Sequence, residues 1–158
     1  DDSIKNLLVD EFSEELKIRM EEEGKKFLDK NRADGKEFLA ENKFAEGVTE
    51  LPSGLQYKIL KAGEGANPRL TDSVNVHYRA MFFDRTVFDM SYDRGPAGIR
   101  INDVIKGLSE GIQLMKVGSI YELYIPPELA YGDQTFANVI PAGSTLIYTI
   151  ELIDIVKE

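Results

Sequence analysis

A chain of 158 residues is long enough for one domain of ordinary size plus an extension, and 42% hydrophobic with 30% charged residues describes a globular protein rather than a disordered or membrane-spanning one. The formal net charge of −9 argues against nucleic-acid phosphate as a partner, and the absence of cysteine excludes disulfides and thiolate metal sites. No apolar run approaches the roughly 20 residues a bilayer helix needs, and Asp1 opens no signal peptide, so the chain reads as cytosolic, as already processed, or as a cut piece.

Residues 1–47 form one compositional unit, dense in Glu and Lys and free of proline. Ile4, Leu8, Phe12, Leu16 and Met20 step by four, with Leu7 beside them, which is a helical stripe. Past Met20 the stripe thins to Phe27, Leu28, Phe38, Leu39 and Phe44. So polar a helix is either a solvated spacer or packs on a partner, and a second copy of the chain is the simplest cover for the first stretch. Gly24 and Gly35 are points where the helix could bend or stop.

GVTELPSG at Gly47–Gly54 marks the boundary, and a second unit, 48–158, follows. There the period falls to two. Leu55, Tyr57 and Ile59, then Val74, Val76, Tyr78 and Ala80, alternate with polar neighbours, and Tyr121, Leu123 and Ile125, then Leu146, Tyr148, Ile150 and Leu152, repeat the same spacing. Short strands are expected at Thr86–Phe88 and Ile99–Ile101, with turn-rich connections at Gly63–Asp72, Asp93–Gly98 and Gly132–Gly143. The one helical stretch among them is Val104–Gly118, where Leu108, Ile112 and Met115 fall at i, i+4 and i+7. Lys116 in its last turn and Gly118 just beyond are expected to close its C-terminus. Gly107 and Gly111 each cost roughly 1 kcal/mol against Ala, which makes sense if another element comes close. The stretch reads either as a plug wrapped by a curved sheet or as an ordinary amphipathic helix. Both fit an α+β domain with a mostly antiparallel, twisted sheet.

The usual catalytic sets are thin. His77 is the lone histidine and reads as structural or surface; no calcium loop, GxSxG or phosphate-binding glycine loop is present. Asp84, Asp89 and Asp93 could pair as hydrolytic carboxylates, but nothing in their spacing fixes a separation, and turns collect Asp anyway. What stands out is aromatics with few ionisable companions: Tyr78, Phe88, Tyr131, Phe136 and Tyr148 flank the central helix. Any one alone fits a core. Phe136, though, lies in QTFANVIPAG, an irregular stretch that should run over the surface, and beside Val139 and Ile140 it points to the rim of an apolar site.

VHYRAMFFDRTVFDMSYDRG, VIKGLSEGIQLMKVGSIYELYIPPELAYGD and VIPAGSTLIYTIELIDI, in that order, resemble the FKBP-type peptidyl-prolyl cis–trans isomerases. The lead-in FLAENKFAEGVTELPSGLQYKIL resembles the bacterial branch that includes the macrophage infectivity potentiator (Mip) proteins. The resemblance implies an α+β fold in which a twisted antiparallel half-barrel wraps one short helix, after an α-helical N-terminal extension that dimerises and acts as a spacer. It also implies an isomerase of X–Pro bonds that needs no cofactor or metal, acts on unfolded or partly folded proline-containing proteins, and resides in the periplasm or at the outer membrane, with a cytoplasmic location also open. A chaperone-like binding module of little turnover is the alternative.

Carried over residue by residue, the family pocket corresponds to Tyr78, Phe88, Asp89, Arg94, Val104, Ile105, Tyr131, Phe136, Val139 and Tyr148, with Leu108 as its floor. The resemblance implies a ligand contact from the Ile105 amide, a hydroxyl donor in Tyr131, and a polar group of Tyr78, Asp89 and Arg94 behind the wall. Four positions depart from the family pattern. Leu108 stands for the usual Trp, Ala97 for a frequent Phe, and Ala80 for a glycine. Arg85 stands for the glycine of an Asp-Gly turn, where a left-handed backbone costs about 1 kcal/mol. Leu108 in particular is expected to weaken binding of the family's macrolide inhibitors.

Overall fold

The computed structural model describes residues 14, 15, 18, 22, 28–137 and 139–156. The stripe of Ile4, Leu7, Leu8, Phe12, Leu16 and Met20 lies outside them, as do Gly24 and Phe27. A helix, α1, is described continuously over 28–42. Then come strands β1 (Val48–Glu50), β2 (Gln56–Lys61), β3 (Ser73–Phe82), β4 (Val87–Met90) and β5 (Ala97–Arg100). A 3-10 turn at Ile101–Asp103 leads into helix α2 (Lys106–Leu114), β6 (Ile120–Ile125), a second 3-10 turn at Pro127–Leu129, and β7 (Leu146–Val156). Among the described residues no helix is long and apolar enough to cross a membrane.

The strands form one antiparallel seven-stranded sheet in the order β1-β2-β6-β7-β3-β4, with β5 also paired to β3. The long strand β3 pairs with β7 along one edge and with two short strands along the other, Arg79–Met81 holding β4 and Ser73–Val76 holding β5. Register shifts at Ile59/Lys61, Asn75/Val76 and Ala80/Met81 add local bend and twist, which lets the open sheet curve around α2.

The alternating residues point where the period-two pattern predicts except Ile59 at the far end of β2, which is exposed. Leu123 and Ile125 of β6, Leu146, Tyr148, Ile150 and Leu152 of β7, and Val74, Val76 and Ala80 of β3 form one core with Ile112 and Met115, in and just after α2. The two glycines of α2 are the contact that brings helix and sheet together. A Cβ at Gly107 would lie 2.5 Å from Ile125 Cγ2, and one at Gly111 would lie 2.4 Å from Leu123 Cδ1. The close approach expected from their helix-propensity cost is thus made by β6.

The helix is shorter than its periodicity implied. It ends at Leu114, before Lys116 and Gly118. Its last carbonyls are taken by a remote side chain, because Asn67 Nδ2 donates to the carbonyls of Gln113, Leu114 and Met115 at 3.4, 3.2 and 3.0 Å. Gly118, at φ 93, belongs instead to the turn that enters β6, where Ser119 N–H donates to Lys116 O at 3.0 Å.

The second departure is α1. Its polar composition reads as a spacer or as a helix that packs on a partner, with Gly35 a point where it could bend or stop. It runs unbroken through Gly35 and packs on the outer face of its own sheet. There Met81, Tyr124 and Ile147 make a second small core, covered by Phe38, Leu39, Val48 and Phe83. Phe38 stacks on Phe83 at 5.6 Å and meets Tyr124 at 6.2 Å, and Gln56 Nε2 donates to Leu39 O at 2.8 Å. Five consecutive residues of β6, Tyr121–Ile125, are therefore buried, since α2 covers one face and α1 the other. Gly35 is where the helix presses closest, over Thr145.

Arg85 shows how a glycine-like position is held without glycine. It adopts φ 71, the left-handed conformation, at a cost of about 1–2 kcal/mol. Its guanidinium reaches Glu122 at 2.7 Å, a carboxylate on the outer face that also accepts from Tyr124 OH at 2.8 Å and Thr149 Oγ1 at 3.3 Å. Such charge-assisted bonds contribute about 1.5–3 kcal/mol, enough to offset the backbone.

Candidate functional site

Inside the curve of the sheet, over the N-terminal half of α2, lies a hollow of about 200 Å³. Its lining is mostly apolar: Val76, Ala97, Ile99, Val104, Leu108, Ile112, Tyr148 and Ile150, with Tyr78 and Asp89 as the polar members. Local sequence explains each placement. Val76 and Tyr78 alternate along β3 and share the inner face, as do Tyr148 and Ile150 along β7. Leu108 and Ile112 are one helical turn apart on α2, so Leu108 reaches the hollow while Ile112 is fully buried below it.

Of the residues singled out from sequence, Tyr78, Asp89, Val104, Leu108 and Tyr148 line the hollow. Phe88, Ile105 and Tyr131 pack half-buried against the same core without being part of that lining, and the Phe88 ring pairs with Phe82 at 4.7 Å. Ile140 is buried and bridges to Phe136, while Phe136 and Val139 are 49% and 52% exposed. Phe136 stacks on Tyr131 at 4.2 Å, so the connection over residues 131–143 presents an aromatic pair to solvent. Val76, Ile99, Ile112 and Ile150 stand in the sequence only as members of expected strands or of the helical stripe, not as site residues. Their signal was the alternation itself, since each shares a face with a residue that was singled out.

The polar group closes as a triangle. Tyr78 OH donates to Asp89 Oδ2 at 2.6 Å, and Arg94 Nη2 donates to Tyr78 OH at 2.9 Å and to Asp89 Oδ1 at 3.0 Å. Burial alone would raise the Asp89 carboxyl, but the Tyr78 and Arg94 hydrogen bonds outweigh it and hold it below the usual range. Burial, and then the bond to Asp89, push the Tyr78 hydroxyl up. Burial likewise raises Tyr148 and Tyr131. At neutral pH the site therefore presents a single fixed carboxylate among neutral phenols and aliphatic walls.

Two donors lie near it, Ile105 directly following the lining residue Val104 and Tyr131 within electrostatic reach of Tyr148. The amide of Ile105, the residue before α2, donates to no backbone carbonyl among the described residues, and the Tyr131 hydroxyl likewise makes no hydrogen bond there. Ala97 and Leu108 sit on the hollow, where their small size leaves it open. The other sequence candidates have structural employment. His77 Nδ1 shares a hydrogen with Ser91 Oγ at 2.8 Å and its ring stacks on Tyr92 at 4.6 Å. Asp84 Oδ1 accepts from the Thr86 amide at 2.9 Å, as a turn residue does.

Comparison with known proteins bears on what such a hollow is for. Residues 64–153 match the family described as FKBP-type peptidyl-prolyl cis–trans isomerase, and residues 2–59 match the domain amino terminal to it. The chain is 40% identical over 151 residues to the outer membrane protein MIP of Legionella longbeachae, covering 95% of this chain and 65% of that protein. It is 45% identical over 129 residues to the peptidyl-prolyl cis–trans isomerase Mip of Coxiella burnetii, covering 81% of this chain and 56% of that protein. The chain thus spans less than two thirds of the length of both. Among solved structures, FkpA from Escherichia coli superposes with a TM-score of 0.92 at 35% identity, over 98% of this chain and 73% of that one.

Proposed function

The chain belongs to the FKBP-type peptidyl-prolyl cis–trans isomerase family, and from that premise we propose that it accelerates rotation about X–Pro bonds in unfolded or partly folded proteins. The observation that carries this reading is the apolar hollow over Leu108 with one ionised carboxylate, Asp89, at its wall.

The chemistry asks for little more. An X–Pro bond rotates over a barrier of about 18–20 kcal/mol because the planar amide has partial double-bond character. At mid-rotation that resonance is lost, and so is the charge separation that accompanies it. A dry, apolar pocket therefore penalises the planar amide more than the twisted one, and the difference lowers the barrier. No bond to the protein forms or breaks, so no nucleophile or general base is required. Leu108, Val104 and Tyr148 hold the prolyl ring, with Phe88 and Ile105 at the border. Asp89 orients the carbonyl region of the substrate, itself fixed by Tyr78 and Arg94. The Ile105 amide and the Tyr131 hydroxyl donate to the substrate backbone, and Phe136, Val139 and Ile140 form the rim that meets the residues flanking proline.

A protease-coupled assay on X–Pro tetrapeptides tests this. Wild type is expected to exceed the uncatalysed rate, and Asp89→Ala to lose about tenfold in kcat/KM, the lower end of what a lost charge-assisted bond costs. A wild-type rate at background, or an Asp89→Ala rate equal to wild type, refutes the reading. Self-association through the N-terminal unit belongs to the same proposal, supported by the apolar stripe from Ile4 to Met20 and the family match over residues 2–59. Sedimentation of the chain with and without residues 1–27 tests it. The name of the Legionella longbeachae relative, an outer membrane protein, supports a place in the bacterial cell envelope.

A further inference from the structure

The connection over residues 131–143 carries the stacked pair Tyr131 and Phe136, of which Tyr131 is within electrostatic reach of the hollow's Tyr148, and its neck rests on α1. Gly132 N–H donates to Pro127 O at 2.8 Å and Gly143 N–H to Gly132 O at 2.9 Å, which draws the outgoing and returning chains together. From the outer face, α1 takes hold of both. Arg32 pairs with Asp133 on the outgoing side. Asn31 Nδ2 donates to Ala142 O at 2.9 Å on the returning side, and a Cβ at Gly143 would lie 2.7 Å from Leu28 Cδ1. One turn of one helix thus bonds to both sides of the neck of a loop in which Phe136 folds back to stack on Tyr131, beside that neck.

We propose that α1 is a positioning element for the substrate rim read above: Asn31 and Arg32 fix the neck of the 131–143 loop, and through it the Tyr131–Phe136 pair, whose Tyr131 lies by Tyr148. The helix is then part of the machinery that sets substrate affinity, and lifting α1 from the sheet loosens the rim without touching Leu108, Asp89 or Tyr148. The consequence for substrate rests on the isomerase reading; the hold on the loop does not.

The relative weights follow from burial. The Arg32–Asp133 pair is about half exposed on each side, so it holds the loop weakly. The Asn31 bond is partly buried, and its loss leaves a carbonyl unpaired. Amide hydrogen exchange over 132–143 is therefore expected to quicken about twofold in Arg32→Ala, about fivefold in Asn31→Ala, and about tenfold in the double variant. In a protease-coupled assay on a proline tetrapeptide, the double variant raises KM by a similar factor and leaves kcat near wild type.

Faster exchange confined to the loop, with that split in kinetics, supports the proposal. Unchanged exchange over 132–143 overturns it. So does acceleration spread equally over β3, β6 and β7, which would make Asn31 and Arg32 ordinary stability residues, and so does a fall in kcat at constant KM. A wild type without isomerase activity refutes the functional reading while the exchange data still decide whether α1 holds the rim.

Discussion

Gly35→Ala sets two physical effects against each other with opposite signs. In an isolated, solvated helix the substitution gains about 1 kcal/mol of helix propensity. Here the added Cβ would fall 2.1 Å from Thr145 Oγ1 and 3.0 Å from Thr145 Cβ, well inside ordinary contact. Thr145 is 1% exposed just before β7, and its β-branched side chain has little freedom to turn aside. To restore contact distance α1 must rise by about an ångström, which strains the Phe38 stack on Phe83 and the bond from Gln56 to Leu39 O. Overpacking of this kind costs about 1–3 kcal/mol, and with a stiff neighbour the upper end applies. Subtracting the propensity gain leaves a net loss of about 2 kcal/mol, or roughly 5 °C in Tm for a chain of this size.

Urea unfolding of Gly35→Ala, Thr145→Ala and the double variant is the assay. Thr145 Oγ1 has no hydrogen-bond partner among the described residues, so Thr145→Ala removes a buried unsatisfied hydroxyl along with a methyl and should be near neutral. It also removes the atom that blocks the methyl added at position 35, so in that background the Gly35→Ala penalty shrinks by about 1–2 kcal/mol. If Gly35→Ala instead raises stability by about 1 kcal/mol in both backgrounds, α1 stands free of the sheet in solution and the packing argument is wrong.

Three further outcomes are expected. Asn67→Ala strips the C-terminus of α2 of its side-chain donor and should cost about 1–2 kcal/mol in urea unfolding; a loss under a few tenths means water satisfies those carbonyls equally well. Burial would raise the Glu122 carboxyl, but the bonds from Arg85 and Tyr124 hold it below its ordinary value of 4.5. A depressed folded-state value means that its stabilisation is complete above the unfolded-state value and is lost as pH falls through the folded one. Glu122→Gln should therefore lower stability by about 1–2 kcal/mol at pH 7, and the gap to wild type should close as the solution is acidified below 4.5; stability curves that run parallel through that range contradict the argument. Leu108→Trp restores a flat floor and, at about 0.8 kcal/mol per CH₂ of contact, should tighten macrolide binding about ten- to a hundredfold; calorimetry showing no gain would mean that the hollow is not the macrolide site.

Much of the fold was legible because its signals are local. Period-two runs placed β2, β3 and β6 within a residue or two of their observed bounds and the start of β7 at Leu146, though β7 runs on to Val156, since side-chain alternation in a half-buried strand is dictated by adjacent residues. Gly107 and Gly111 announced a close approach to α2 before β6 was known to make it, because a glycine inside a helix is costly unless a neighbour needs the space. Tyr78, Asp89 and Arg94 could be grouped from motif resemblance, and their hydrogen bonds join them.

What only the tertiary structure decided involves residues far apart in the chain whose local signal points the wrong way. Gly35 reads as a breaker, yet it is the contact that lets α1 approach Thr145, just ahead of the last strand. The polar composition of α1 reads as solvated because its anchorage is a few side chains, Leu28, Phe38 and Leu39, with Asn31 and Arg32 bonded to a distant loop. The helix α2 ends at Leu114, short of Lys116 and Gly118, and the side chain that takes its last carbonyls, Asn67, lies on another segment. Periodicity reports which face of an element is apolar. It cannot report which remote surface covers that face, because that choice is made by shape and hydrogen-bond complementarity between segments that meet only once the chain has folded.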